Sequence, residues 1–456
     1  MRNLSLRNIA AVCGGTYHGA EEMLDREVDG VVIDSRLVKQ DYLFVAMKGA
    51  RVDGHTFIPD VMKAGALCAL TENMLADASF PYIRVYSCPQ ALKDLAAFYR
   101  RGLRVKVVGI TGSVGKTSTK EAIAAVLGEH FKVHKTAGNF NNEIGLPLTI
   151  FQISEADEAA VLEMGISDFG EMSRLAAVAQ PDIAVITNIG TCHLEFLHDR
   201  AGILEAKTEM FDYLSDDGIA VLNGDDDMLR TIKEVNGRKP LFFGTGEDCD
   251  VSASRIEDKG FSGTSCTVRI GGETIDVMIP VPGRHMVYNV LAAAAVGMTL
   301  GVSPDEIKNG ISRLAAVEGR GRLIETGKFT VMDDCYNANP VSMKASLDVL
   351  SGAAGRRVAV LGDMFELGAA EHDLHREVGA YAAKHGVDLL LCVGPLAQET
   401  ADGAAEAGLK AVHKYPDKKA LLSELSSLLM PGDTVLVKAS HGMQFEEIVS
   451  FLKDKK

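Results

Sequence analysis

Short runs of aliphatic and β-branched residues, each followed by a stretch with helical spacing of its apolar positions, recur from one end of the chain to the other. This is the rhythm of mostly parallel sheets covered by helices, because a strand buried on both faces reads as a continuous apolar run. In the N-terminal part the pattern predicts strands at Gly30–Ile33, Tyr42–Ala46, Leu67–Leu70 and Ile83–Val85, closed by a helix over Gln90–Arg101. A second unit opens with the apolar run Arg104–Ile110. Buried strands follow at Ala160–Met164, Ile183–Thr187 and Ile219–Leu222, each ending in polar residues. Ligands of open α/β sheets sit beyond such carboxyl ends. Between Asp248 and Ile279 the pattern alternates and is rich in Gly and Thr, which predicts an antiparallel flank, before helical spacing resumes over Met286–Leu300. Two glycines in Gly319–Arg322 can hinge the chain. Beyond them the strands Phe329–Asp333, Arg357–Leu361, Leu389–Val393 and Thr434–Val437 alternate with helices in a Rossmann-like rhythm without GxGxxG.

The expected division is therefore 1–102, 103–317 and 318–456, an α/β chain of three domains, which its 456 residues also favour over one or two. With 47% hydrophobic and 24% charged residues the composition is that of a globular chain, which excludes disorder. A formal net charge of −15 argues against coating nucleic acid or an anionic membrane, although a small phosphorylated ligand at one local site stays compatible with it. The eight cysteines are scattered and none forms a CxxC pair, so neither zinc nor a redox dithiol is expected and a reducing compartment fits. The longest apolar stretch, Val290–Val302, is broken by Gly297 and Gly301. No membrane insertion and a cytoplasmic location are expected.

The sharpest chemical signal is GITGSVGKTSTKE, Gly109–Glu121, directly after a buried strand and before a helical pattern running from Lys116 to Gly128. Gly112 and Gly115 let the backbone wrap phosphate with its N–H groups inward, with Ser113 and Ser118 beside them, and the helix N-terminus adds partial positive charge. Lys116 would reach the β- and γ-phosphates and the Thr117 hydroxyl would ligate Mg²⁺. The spacing departs from strict GxxxxGK[ST], since position 110 is Ile and the outer glycine is 109. An ATP site is the reading this order of strand, loop and helix supports. Glu163 ends one later strand and His193 follows the next, so both could converge on a metal site that Thr117 begins. Lys207, in LEAKTEM, reads from its spacing as a solvated surface lysine.

Taken together, TGSVGKT (111–117), NFNNEIGLPLT (139–149), LEMG (162–165), ITNIGTCHLEFL (186–197), EAKTE (205–209) and RHMVYN (284–289) resemble the Mur ligase family, the ATP-dependent amide-forming enzymes of peptidoglycan precursor synthesis. DDCYNANPVSM (333–343), LGDMFELG (361–368) and EHDLHREVG (371–379) are similar to the member that adds D-alanyl-D-alanine to UDP-N-acetylmuramoyl-tripeptide. The resemblance implies a nucleotide-sugar-binding first domain, a central ATPase-like domain and a Rossmann-like third domain. It implies an acyl-phosphate mechanism and two Mg²⁺ ions, the first on Thr117 and Glu163, the second on Glu163, His193 and a carbamylated Lys207, which replaces the solvated reading of that lysine. By the same resemblance Asn141 and Asn142 face the γ-phosphate, Asn289 meets adenine, and Arg322 and Asp334 reach the nucleotide from the third domain. Tyr336, Asn337 and Asn339 of the DDCYNANP segment join the substrate side. Ser35, Arg36, Asp53, Gly54 and His55 are the implied uridine-nucleotide contacts, in a stretch that otherwise reads as a polar loop. Lys438 and Ser440 match an acceptor-site segment, but Ala439 and His441 replace its glycine and arginine, and His198 and Asp199 stand where a glycine-serine pair is common. A monomer acting on small molecules is expected.

A sister ligase for the third amino acid would carry Asp-Asn-Pro-Arg, which is missing here, and the DDCYNANP and LGDMFELG pattern argues against a folate-polyglutamate ligase. A scaffold that had lost its chemistry would show damage at Lys116, Thr117, Glu163, His193 or Lys207. A motion-coupled NTPase would release ADP without needing both peptide substrates.

Overall fold

A computed structural model describes residues 1–75 and 78–454. Three sheets follow one another along the chain. The first has five strands, in spatial order Thr16–His18, Tyr82–Arg84, Cys68–Thr71, Tyr42–Val45 and Gly30–Val32, all parallel except the first. Helix Cys88–Arg101 closes this unit and fastens it to the next: Tyr99 donates its hydroxyl to the Ile153 carbonyl at 2.8 Å, and the buried Arg100 guanidinium donates to the carbonyls of Ala179 and Gln180. One apolar cluster runs from Leu4 through Leu95 to Leu222, so the first and second sheets share a core.

The second sheet has nine strands, seven of them parallel and the last two, Thr264–Ile270 and Glu273–Ile279, antiparallel additions at one edge, as the alternating pattern predicts. Its key strand is Lys106–Thr111, paired on one side with Ala159–Glu163 and on the other with Ile183–Ile186. Successive residues of this strand enter different cores, Val107 one and Val108 and Ile110 the other, which is why the run is apolar without alternation. The phosphate loop thus leaves the sheet between two strand ends, with Glu163 level with Ile110 on one side.

The third sheet is ordered Arg322–Glu325, Thr330–Asp333, Thr434–Lys438, Arg357–Gly362, Leu389–Val393 and Val412–Tyr415, parallel but for its first strand. On one face, helices Glu371–Lys384 and Ala397–Glu406 approach through glycines: a Cβ on Gly379 would stand 1.8 Å from the Thr400 carbonyl oxygen, and one on Gly403 2.2 Å from that of Arg376. Gly379→Ala is expected to force these helices apart and to lower the urea unfolding free energy by roughly 1–3 kcal/mol, the usual cost of overpacking. All eight cysteines are free thiols. Among the described residues no helix is long and apolar enough to cross a membrane.

Candidate active site

Two special glycines shape the phosphate loop. Gly112 has φ 147° and a Cβ there would lie 1.9 Å from Thr187 Oγ1, while Gly115, at φ 86°, leads directly into helix Lys116–Leu127. The next strand end cinches the loop: Ser113 N–H donates to the Asn188 carbonyl and Val114 N–H to Asn188 Oδ1, both at 3.0 Å, and Thr187 Oγ1 donates to the Val114 carbonyl at 2.6 Å. Among the described residues no side chain caps the helix start, so its first N–H groups are open to an anion. Lys116 Nζ curls back to donate to the Gly112 carbonyl at 2.8 Å.

Glu163 is buried at 2% exposure. Asn141 Nδ2 donates to its Oε1 at 2.8 Å, whereas its buried Oε2 has no hydrogen-bond partner among the described residues. The cation that pairs with it is Lys120 Nζ, 4.0 Å from Oε2 and itself buried, donating to the Thr136 carbonyl at 2.7 Å. An unpartnered buried carboxylate oxygen is costly unless a cation or donor meets it. Lys120 escapes sequence reasoning; its signal is that it lies one helical turn after Lys116.

His193 adopts left-handed backbone (φ 56°) and its Nδ1 lies 2.5 Å from Oε2 of Glu366, a residue of the third domain. Burial above all, with Lys116 and Lys207 nearby, pulls the imidazole below its ordinary pKa against the opposing pull of Glu366. Lys207, on helix Arg200–Thr208, is buried at 1% exposure rather than solvated, and burial pushes its ammonium down to about 8. No hydrogen bond or ion pair holds its Nζ among the described residues.

A cleft of about 590 Å³ between the central and third domains gathers most of the expected residues. Ser113, Gly115, Lys116, Thr117, Ser118, Asn141, Asn142, Glu163, His193 and Asn289 line it from one side, and Asp334, Tyr336, Asn337, Asn339 and Lys438 from the other. Several of these also hold the backbone in place. Asn142 Oδ1 accepts from Gly145 N–H at 2.8 Å, Asn339 caps helix Pro340–Ser351, and Asn289 Oδ1 accepts the Thr119 hydroxyl at 3.0 Å, tying two helices together beneath the loop. Lys438 Nζ is buried and donates to Asp334 Oδ2 at 2.6 Å and to the Asn337 carbonyl at 3.0 Å, and Ser346 donates to the same carboxylate oxygen.

Arg322 is not brought into the cleft. Gly321 (φ 70° region, at 71°) turns the chain so that Arg322 starts an exposed edge strand, and the residue that lines the cleft is Arg320, its guanidinium 3.9 Å above the Tyr336 ring. Ser440 also stands outside; its Oγ accepts the Phe365 N–H at 2.9 Å, and the neighbouring His441 ring lies tilted against Tyr336, their centroids 5.1 Å apart. Gly112 and Lys207, also expected at the site, are not among the residues that line the cleft.

Ser35, Arg36, Asp53, Gly54 and His55 lie in the first domain, away from this cleft. Arg36 pairs with Asp34 at 2.6 Å and holds that carboxyl down to about 2. Asp53 Oδ1 accepts from His55 Nδ1 at 2.6 Å, and His55 Nε2 accepts the Glu72 N–H at 3.2 Å, which fixes the ring. A Cβ on Gly54 would sit 2.7 Å from the Met47 carbonyl oxygen.

An N-terminal α/β unit followed by a phosphate-loop sheet and a third sheet, the latter two sharing one cleft, defines a class. Residues 27–100 match the Mur ligase family catalytic domain, 110–297 the Mur ligase middle domain, and 319–441 the Mur ligase glutamate ligase domain. The chain belongs to the Mur ligase family. Within it, the chain is 38% identical over 455 residues, 98% of each chain, to UDP-N-acetylmuramoyl-tripeptide--D-alanyl-D-alanine ligase of Bacillus subtilis. It superposes on MurF from Acinetobacter baumannii with a TM-score of 0.91, at 30% identity over 99% of each chain. The MurF ligase from Thermotoga maritima in complex with ADP is similar at a TM-score of 0.82 and 31% identity, over 93% of this chain and 97% of that one.

Proposed function

We propose that this chain is the ATP-dependent ligase that joins D-alanyl-D-alanine to UDP-N-acetylmuramoyl-tripeptide, giving the pentapeptide, ADP and phosphate. The observation that carries the reading is the cleft in which the phosphate loop and the unpartnered Glu163 oxygen face Asp334 and Lys438. The tripeptide carboxylate attacks the γ-phosphate and expels ADP, leaving an acyl phosphate. The dipeptide amine adds to that carbonyl, and the tetrahedral intermediate collapses to amide and phosphate. Both reactants of the first step are anions, so the site must neutralise charge before they meet. Lys116 and the open helix start supply that at the triphosphate. Lys438 stands on the opposite wall, where it can orient the acceptor side.

Glu163 fits a hard cation, since its second oxygen is buried and lacks a donor among the described residues. Thr117, Glu163, His193 and Lys207 would hold Mg²⁺, two ions by the family pattern, and Mg²⁺ bound there would neutralise phosphate charge. Lys207 suits carbamylation. Its depressed pKa leaves neutral amine available near neutral pH, and that amine can bond CO₂ and lose a proton to become an anion beside the cation Lys116. Ser35, Arg36, Asp53, Gly54 and His55 would hold the uridine nucleotide on the first domain, so closure of the three domains brings the substrates together and shields the acyl phosphate from water. A monomer working in the cytoplasm fits this role.

Phosphate release measured with ATP, UDP-N-acetylmuramoyl-tripeptide and D-alanyl-D-alanine, omitting each in turn, tests the reading. Release is expected at full rate only with all three. A rate that stays high without either peptide substrate would make the chain a plain NTPase.

A further inference from the structure

The segment LGDMFELG (361–368) has no part in the mechanism above, yet it is anchored at three successive residues, the first through its side chain and the next two through their backbone. Asp363 Oδ1 accepts the Ala397 N–H at 2.6 Å, Met364 N–H donates to Nε2 of the fully buried His375 at 2.9 Å, and Phe365 N–H donates to Ser440 Oγ at 2.9 Å. The next residue, Glu366, takes left-handed backbone at φ 62°, a conformation that favours glycine, and its half-exposed side chain leaves the third domain. It ends 2.5 Å from Nδ1 of His193, which is itself left-handed. Two residues on, Gly368 lies against the backbone at Glu195, so the loop touches the central domain at a second point.

The His193 imidazole has no other hydrogen-bond partner among the described residues. An imidazole whose Nδ1–H is taken by a carboxylate keeps its lone pair on Nε2, and a ring that must present Nε2 in a fixed direction is commonly oriented this way. The central domain supplies the ring, and the third domain supplies the group that orients it.

We propose that Glu366 is a positioning residue that reaches across the interdomain cleft to fix the tautomer and direction of His193, so that this imidazole is set only when the third domain has docked. The proposal rests on the role given to His193 above. In Glu366→Ala, kcat is expected to fall about 10–100-fold, with KM for ATP and for both peptide substrates unchanged. Glu366→Gln, whose amide oxygen can accept the same N–H, is expected to recover most of the rate. A readout independent of turnover is the ring-nitrogen NMR spectrum of protein labelled with ¹⁵N-histidine, assigned with His193→Ala: His193 is expected as the Nδ1–H tautomer in the parent and as a mixture in Glu366→Ala. Parent-like kcat and tautomer in Glu366→Ala would overturn the proposal, as would a Gln variant as slow as the Ala variant. If His193→Ala itself keeps full turnover, the role of the histidine falls and the proposal with it. An inactive His193→Ala beside an unaffected Glu366→Ala removes the proposal alone.

Discussion

Replacing Lys116 with alanine is expected to abolish amide formation, with a fall of about 10³-fold or more in kcat/KM and phosphate release near background. The charge is placed where no other residue can replace it. Lys116 is the first residue of helix Lys116–Leu127, its Nζ lies over the loop that Gly112 and Gly115 shape, and Lys120, one turn on, is buried and committed to the Thr136 carbonyl. Stability should hardly move. The side chain is only partly buried and its one hydrogen bond goes to the Gly112 carbonyl, a contact worth about 1 kcal/mol net. Circular dichroism and thermal unfolding close to those of the parent, beside a dead ligase, are the expected pair of results. Near-normal turnover would show that the loop does not hold the triphosphate.

Strands buried on both faces were legible as short, continuous aliphatic runs, and Arg357–Gly362 and Leu389–Val393 lie where the pattern puts them. Four of the edge strands were not. Thr16–His18, Val133–Lys135, Arg322–Glu325 and Val412–Tyr415 are short and half-exposed, so their side chains carry little apolar pattern and only their partners define them. The same effect displaced Arg322: two glycines with φ near 70° read as a hinge, but the chain re-enters the sheet at once and Arg320 takes the cleft.

At the site, residues fixed by backbone chemistry could be read locally, since a glycine loop between strand and helix has few other uses. Lys207 could not. Its spacing is that of a surface lysine, and its burial comes from how helix Arg200–Thr208 packs against helices Glu171–Ala179 and Leu194–Leu197. Glu366 is 173 positions from His193, and no local pattern announces a contact that exists only between docked domains. Ser440 shows the converse: a family segment pointed to the acceptor site, while its hydroxyl anchors the loop that carries Glu366.

Glu163→Gln separates fold from chemistry at the other pole of the cleft. Gln keeps the shape and an oxygen for the Asn141 amide, so the hydrogen bond at 2.8 Å can persist and Ala159–Glu163 stays paired with Lys106–Thr111. What goes is the charge on an oxygen that is buried and has no donor among the described residues. Unfolding of the nucleotide-free protein is therefore expected to shift by no more than about 2–4 °C, the scale of roughly 1 kcal/mol. Ligation is expected to fall about 10²–10³-fold, because among the described residues this carboxylate lines the cleft with a buried oxygen that lacks a hydrogen-bond partner. The deciding measurement is thermal stabilisation by ATP with and without Mg²⁺. The parent should gain about 2.7 kcal/mol at a hundredfold excess of ligand over its dissociation constant. The variant should lose the Mg²⁺-dependent part of that gain and keep the part that ATP earns from the phosphate loop alone. A full Mg²⁺-dependent shift in Glu163→Gln would mean that this oxygen faces no cation, and that its burial without a partner serves some other end.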